Sequence, residues 1–439
     1  MFSQEKKHWE MSKKIVCFGP GPVFKGGLSN YNTSLAKTFD AMDDTEVHIV
    51  SWTHQYPSII PREFKDKVSA KGFLEGTNIS VKYLTNYNNP FSWTKTAKYI
   101  AGLEPEKVII QWSIAIQGLP IGSLIRKIKN YSPKTEVIID LHFVIQKEKS
   151  KIDMMFTQRG IKDADTYIVH ALKTFEELKV VFPEKNFYLT KSGDRAKDGK
   201  TTVIKLFHPI YDLYKPDPDF DVEAFKKENN LRKHVFLFFG FIRKYKGLHH
   251  TIEAFAKVAK KRNDVSLLIC GESFWNTLDN KSIITKLKKV TFGVAKSIFL
   301  GNEDDEGEYK PLDLIEELGI SDQTVVFNRF IANEEVHKYF QASNCVVLYY
   351  LTATPSGIES LSYNFELPIL ATEVGHFPET IEDGFNGYLA KANDIDDMAK
   401  VMEKYLDHPL PGKNVSEATK GMSWEVYASA IMNSQVRSG

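Results

Sequence analysis

Val235–Phe255 reads VFLFFGFIRKYKGLHHTIEAF. The run Val235–Gly240 is continuously apolar up to its glycine, as expected of a strand buried on both faces. From Leu248 to Lys261 apolar residues recur at helical spacing, which predicts a helix. A short buried strand, a glycine-containing turn and an amphipathic helix form the opening half of a βαβ unit in a parallel sheet. In such sheets ligands bind beyond the carboxyl ends of the strands, and a helix start offers free N–H groups to anions. Arg243 and Lys246 stand on this turn with Gly240 behind them, a suitable setting for a diphosphate; a solvated basic turn would read the same way.

The alternation continues on both sides. Downstream, strands are expected at Val265–Cys270, Thr324–Phe327, Cys345–Tyr349 and Ile369–Thr372. Upstream, a strand at Ile15–Phe18, a glycine loop, a helix at Leu28–Met42 and a strand at Val47–Trp52 repeat the pattern, followed by strands at Lys107–Trp112, Glu136–His142 and Asp165–Ala171. Between the two series lies HPIYDLYKPDPD, His208–Asp219, whose prolines and aspartates interrupt the periodicity as a linker would. The expected α/β organisation is two doubly wound, Rossmann-like domains: residues 1–208, a linker 209–234, residues 235–412, and a C-terminal helix in 413–439 that packs back on the first domain.

A chain of 439 residues suits two such cores. Its hydrophobic fraction of 42% and charged fraction of 26% are ordinary for a globular protein. No run approaches the roughly 18 apolar residues of a spanning helix, and the polar start MFSQEKKHWEMSKK lacks a signal-peptide core, so a cytoplasmic protein is expected. Lys plus Arg (57) balances Asp plus Glu (56), leaving no global field to draw in nucleic acid. Cys17, Cys270 and Cys345 each sit in an apolar run and read as buried small hydrophobes.

Two further glycine sites match the first. In TPSGIESLSYNFELP, Thr354–Pro368, Ser356 can cap a helix while Gly357 lets an anion approach the amides of Gly357 and Ile358; Ser-Gly is also simply a good helix start. Gly26 and Gly27 open the first helix, although they do not form the G-x-G-x-x-G fingerprint and could merely make a tight turn. Between Glu272 and Leu318 the pattern loosens. Lys281–Leu300 has a basic amphipathic periodicity compatible either with a membrane surface or with a helix packed on the sheet.

GGLSNYNTSLAKTF, FGFIRKYKGLHHTIEAF and SGIESLSYNFELPILATEVGHFPETIEDGFNGYL, in that order, resemble the retaining glycosyltransferases of family 4 over nearly the whole chain. The resemblance implies the GT-B fold, a cleft between two Rossmann-like domains with the nucleotide sugar held mainly by the second and the acceptor by the first. It places Arg243 and Lys246 on the donor diphosphate, Ser356, Gly357 and Ile358 on its oxygens, and Gly26 and Gly27 close to the phosphate or sugar. It sets Arg329, Phe330 and Ile331, in NRFI, beside the nucleobase. In this fold cationic side chains and helix dipoles stand in for a metal, so no metal or other cofactor is expected.

His142 closes the strand VIIDLH on the cleft side, where the resemblance implies a histidine near the reacting sugar; a strand-end histidine is also a common structural hydrogen-bonding residue. Glu148 follows in the loop as a candidate to polarise an acceptor hydroxyl, or as a solvated glutamate. His170 reads as structural. One departure matters: the spaced pair of glutamates that many members carry for sugar and ribose is replaced by Ala353 and Leu361, and Glu359 and Glu366 stand out of register. The implied activity is transfer of a hexose, with retention, from a UDP-sugar in preference to a GDP-sugar onto a glycan or lipid-linked acceptor, with peripheral membrane contact at the inner face. An epimerase or hydrolase of the same fold and a non-catalytic carbohydrate-binding subunit remain as alternatives. Trp93 and Trp112 could line an acceptor site or serve as core.

Overall fold

The computed structural model describes residues 12–58, 65–69, 72–145, 151–197, 199–273, 309–355 and 357–437. The first domain contributes β1 Lys13–Phe18, β2 Thr45–His54, β3 Ser80–Asn86, β4 Lys107–Trp112, β5 Glu136–Leu141, β6 Thr166–Val169, β7 Phe187–Thr190, β8 Arg195–Ala196 and β9 Thr201–Lys205. The second contributes β10 His234–Phe239, β11 Val265–Cys270, β12 Thr324–Phe327, β13 Cys345–Leu348, β14 Ile369–Thr372 and β15 Gly387–Ala390, and β16 Val436–Arg437 ends the described chain. Eight strands form one sheet in the order β3-β2-β1-β4-β5-β6-β9-β7, and six form another in the order β12-β11-β10-β13-β14-β15. Neighbouring strands are parallel throughout both sheets.

Strand alternation divides each sheet between two layers. In β1, Ile15 and Cys17 enter one cluster while Val16 and Phe18 enter another. In β10, Leu237 and Phe239 face the first of these clusters, whereas Phe236 and Phe238 pack against the helix Leu248–Ala259. The cluster that holds Ile15 also holds Leu237, Leu268, Trp424 and Tyr427, so apolar packing is continuous across the seam between the domains. All three cysteines are free and buried, as their apolar surroundings implied.

The strand core matches the sequence pattern closely because parallel strands covered on both faces read as near-continuous apolar runs. β5 ends at Leu141, leaving His142 just past the strand, and β6 is shorter than the expected Asp165–Ala171. β3, β7, β8, β9, β15 and β16 escaped the sequence reading; β3 and β7 are the two edges of the larger sheet and are only partly covered, so their apolar signal is diluted. The GT-B-like fold, with two parallel-sheet Rossmann-like domains, is therefore the observed one.

The last helix, Trp424–Met432, returns to the first domain. Its N-cap Ser423 accepts a hydrogen bond from the Val426 N–H, and Trp424, Tyr427, Ala428 and Ile431 form its buried stripe. Trp424 packs edge-on against Tyr31 with ring centroids 4.9 Å apart, the Tyr427 hydroxyl donates to Asp140 Oδ2 at 2.9 Å, and β16 pairs with β8. Among the described residues no helix is long and apolar enough to cross a membrane. The amphipathic stretch Lys281–Leu300 lies outside the described residues, as do Glu148 and Ser356.

Candidate nucleotide-sugar cleft

In the six-stranded sheet the order reverses between β10 and β13, and a crevice opens beyond their carboxyl ends. A cavity of about 320 Å³ lies there, within the range of small-molecule sites. It brings together Gly26 and Gly27 of the first domain with Gly240, Lys246, Phe330, Ile331, Gly357 and Ile358 of the second. Residues more than three hundred positions apart in the chain thus share one wall-to-wall space.

Lys246 occupies the turn between β10 and the following helix, with its side chain buried. Gly240 makes room for it: φ there is +101°, and a Cβ would stand 2.8 Å from Lys246 Nζ. Burial, and then the charge of Arg243, push the Lys246 ammonium down to about 7. Arg243 itself does not line the cavity; its guanidinium lies over the Tyr245 ring, 5.5 Å from the centroid. Across the cavity, the helix Gly357–Asn364 presents its first residues. Gly357 is pressed against Tyr211, so that a Cβ would meet the ring at 2.6 Å.

Arg329 turns away from this space. Its guanidinium is exposed and forks onto Glu335 at 2.7 and 3.0 Å, with Tyr339 Oη at 3.1 Å, while Phe330 and Ile331 face inward. His142 also lies outside the cavity lining. It is partly buried, shares a 2.7 Å hydrogen bond with Gln111 Oε1, and meets Tyr31 edge-on at 4.6 Å. Burial, then His170, lower its pKa to about 4 against the pull of Asp140, so the ring is neutral at pH 7. His170 bonds Asp140 Oδ1 at 2.8 Å, a structural pairing. Although burial would raise Asp140, the charge and hydrogen bond of His170 hold it down to about 2.

Asp140, His142 and His170 bring one ligand atom each within 4.8 Å of one another, a grouping absent from the sequence reading. Hydrogen bonds from His170 and Tyr427 to Asp140, and the Gln111 contact of His142, account for this cluster without an ion. Trp112 is fully buried, and Trp93 donates Nε1–H to Asn86 O at 2.8 Å; neither lines the cavity. Glu359 points away from the cavity, buried against His376, Tyr363 and Thr380, whereas Leu361 lines it.

Several lining residues carried no sequence signal. Tyr211 and Tyr214 come from the stretch that reads as a linker, yet both are buried at the seam. The Tyr211 hydroxyl donates to Gly27 O at 2.8 Å, and Tyr214 accepts from Asn30 and donates to Asn333 Oδ1 at 3.0 Å. Their aromatic character among prolines and aspartates was the available clue. Asp66 and Glu272 add two carboxylates. Asp66 accepts from the N–H groups of Val68 and Ser69 at 2.9 and 3.0 Å; burial would raise its pKa, but these bonds and Lys25 lower it.

Solved structures share this fold. HepE from Anabaena, in complex with UDP and glucose, superimposes with a TM-score of 0.63 at 16% identity, covering 95% of this chain and 97% of that one. Sucrose-phosphate synthase from Thermosynechococcus elongatus gives a TM-score of 0.61 at 16% identity over 95% and 96% of the two chains. The UDP-forming α,α-trehalose-phosphate synthase from Burkholderia xenovorans, in complex with glucose-6-phosphate, gives 0.60 at 12% identity over 96% and 99%. At these identities the likeness is one of fold. No curated protein matches the chain in sequence. The second domain, which supplies Gly240, Lys246 and the Gly357 helix, carries the sequence likeness: residues 219–422 match the family model of the glycosyl transferases group 1.

Proposed function

We propose that this protein is a retaining glycosyltransferase that moves a hexose from a nucleotide sugar, UDP in preference to GDP, to a hydroxyl of a glycan or lipid-linked acceptor. The observation that carries the proposal is the convergence of a buried ammonium, Lys246, and the start of the Gly357–Asn364 helix on one cavity at the β10/β13 switch point, closed from the other side by Gly26 and Gly27. The group 1 match over 219–422 supports the transferase class, and the UDP in the HepE complex supports the nucleotide.

In this reading Lys246, assisted by the nearby charge of Arg243, and the amides of Gly357 and Ile358 take the diphosphate and stabilise the charge that develops as the nucleotide leaves. Phe330 and Ile331 flank the base, with Arg329 serving only to hold that loop through Glu335. The acceptor hydroxyl attacks the face from which the nucleotide departs, so the anomeric configuration is kept. Orientation and exclusion of water supply on the order of 7 kcal/mol of the barrier reduction. His142, neutral and packed edge-on against the buried Tyr31, stands outside the cavity lining and makes no direct contact with the donor in this reading. No metal is required. Peripheral contact with the inner face of a membrane would bring lipid-linked acceptors to the first domain.

Calorimetry with UDP-glucose, UDP-galactose and GDP-mannose, followed by transfer assays on glycan and lipid-linked acceptor mixtures, tests this. Selective binding of a UDP-sugar with acceptor-dependent release of UDP is expected. Release of free sugar at the same rate without acceptor would make the protein a hydrolase, and absence of binding to every donor would overturn the reading.

A further inference from the structure

We infer that Glu272 reads the ribose of the bound nucleotide, accepting hydrogen bonds from its vicinal diol and selecting ribonucleotides over deoxyribonucleotides. This rests on the donor reading of the cavity.

The order β12-β11-β10-β13 sets β11, second in its Rossmann-like unit, beside β10. Phosphates sit on the loop after the first strand of such a unit. The end of the adjacent second strand therefore lies one sugar away from them, and an acidic residue there meets the ribose diol. Glu272 stands two positions past the end of β11. It is buried, with 7% of its surface exposed, and lines the cavity together with Lys246 and Phe330.

Three backbone hydrogen bonds hold the chain from Cys270 to Glu272. Gly240 N–H donates to Cys270 O at 2.8 Å, Gly271 N–H to Phe327 O at 3.0 Å, and Ile242 N–H to Glu272 O at 3.0 Å. A Cβ on Gly271 would fall 2.0 Å from Gly240 O, so the loops after β10 and β11 are in direct contact. This framework fixes the backbone that carries the Glu272 carboxylate, whose two oxygens can accept from two adjacent hydroxyls.

Two carboxylates line the cavity among the described residues. Asp66 belongs to the first domain and receives the Val68 and Ser69 amides. Glu272 alone of the pair belongs to the domain that carries the phosphate turn. The helix wall opposite offers Leu361, which cannot accept a hydrogen bond. A carboxylate in a cavity that takes a diphosphate needs a compensating charge, and Lys25 supplies it. Its ammonium lies 3.9 Å from Glu272 Oε1 and 4.8 Å above the Phe330 ring centroid. Because Lys25 comes from the first domain, ribose recognition is completed where the two domains meet.

The test is calorimetry of UDP, 2′-deoxy-UDP, GDP and 2′-deoxy-GDP binding to the full chain and to Glu272→Ala and Glu272→Gln. The wild-type protein should favour UDP over its 2′-deoxy form by about 10-fold or more, the worth of a hydrogen bond to a charged group. Glu272→Ala should bring that ratio close to one by weakening UDP, and the isosteric Glu272→Gln should retain part of it. Lys25→Met should weaken both nucleotides and keep the ratio. Nucleotide binding with no wild-type preference for ribose, or with a preference untouched in Glu272→Ala, overturns the inference alone. So does a change confined to the UDP-to-GDP ratio, which would mean that the carboxylate reads the base. Failure of the wild-type protein to bind any of the four overturns the donor reading and the inference together.

Discussion

Binding of a nucleotide sugar should draw a proton from solution onto Lys246. Burial and Arg243 hold its pKa at about 7, so about half of the molecules carry a neutral amine at pH 7. A diphosphate beside the amine favours the charged form and raises that pKa. A sugar-esterified diphosphate does not itself titrate near neutrality, so uptake reports on the protein: about 0.5 proton at pH 7 and about 0.9 at pH 8. The bound state holds more protons, so affinity is greatest below pH 7 and falls as pH rises toward the bound-state pKa. The loss is about fivefold between pH 7 and 8 and approaches tenfold per unit, about 1.4 kcal/mol, above that. Calorimetry of UDP-glucose in two buffers of different ionisation enthalpy measures the uptake. Lys246→Met should abolish it and weaken binding, Lys246→Arg should abolish it while keeping much of the affinity, and Arg243→Ala should shift its onset to higher pH. Donor binding with uptake below about 0.1 proton at both pH values, or uptake that persists in Lys246→Met, would refute the assignment of Lys246 to the diphosphate.

Gly240→Ala should lower donor affinity by about tenfold and reduce the melting temperature, because φ is +101° and the new Cβ lands 2.8 Å from Lys246 Nζ; titration and thermal melting check both effects. Tyr427→Phe leaves Asp140 Oδ2 without its donor and should cost about 1.5–3 kcal/mol in chemical denaturation, the worth of a hydrogen bond to a charged group; a loss under about 0.5 kcal/mol would mean that the C-terminal helix does not depend on this contact. His142 and His208 are both depressed by burial first and by neighbouring histidines next, His142 to about 4. A lowered basic group contributes stability that is complete above its unfolded value of 6.5 and is lost as pH falls toward the folded value. Unfolding free energy should therefore fall between pH 6.5 and 4, by up to roughly 3 kcal/mol from His142, the melting temperature should fall with it, and His142→Gln should flatten the slope.

The sequence by itself determined the architecture. VFLFF followed by GFIRKYKG and LHHTIEAF specifies a buried parallel strand, a turn and a helix, since such a strand must be apolar on both faces and the helix on one. It also marked the glycine and lysine positions of the cleft, because close backbone approach and a cationic turn need particular residue types wherever they occur. Which way a side chain faces at the seam was decided only by tertiary structure. Arg329 and Phe330 are adjacent, yet one forks onto Glu335 and the other lines the cavity. Tyr211 and Tyr214 sit in a segment that local pattern reads as a connector, and become cleft walls because their hydroxyls reach Gly27, Asn30 and Asn333. Glu272 follows a strand end and Asp140 lies within a strand, but their settings are made by strands and a terminal helix brought together from distant parts of the chain. Periodicity records whether a residue is buried, but the partner on the far side of a domain interface is chosen by packing between segments, which no local pattern encodes.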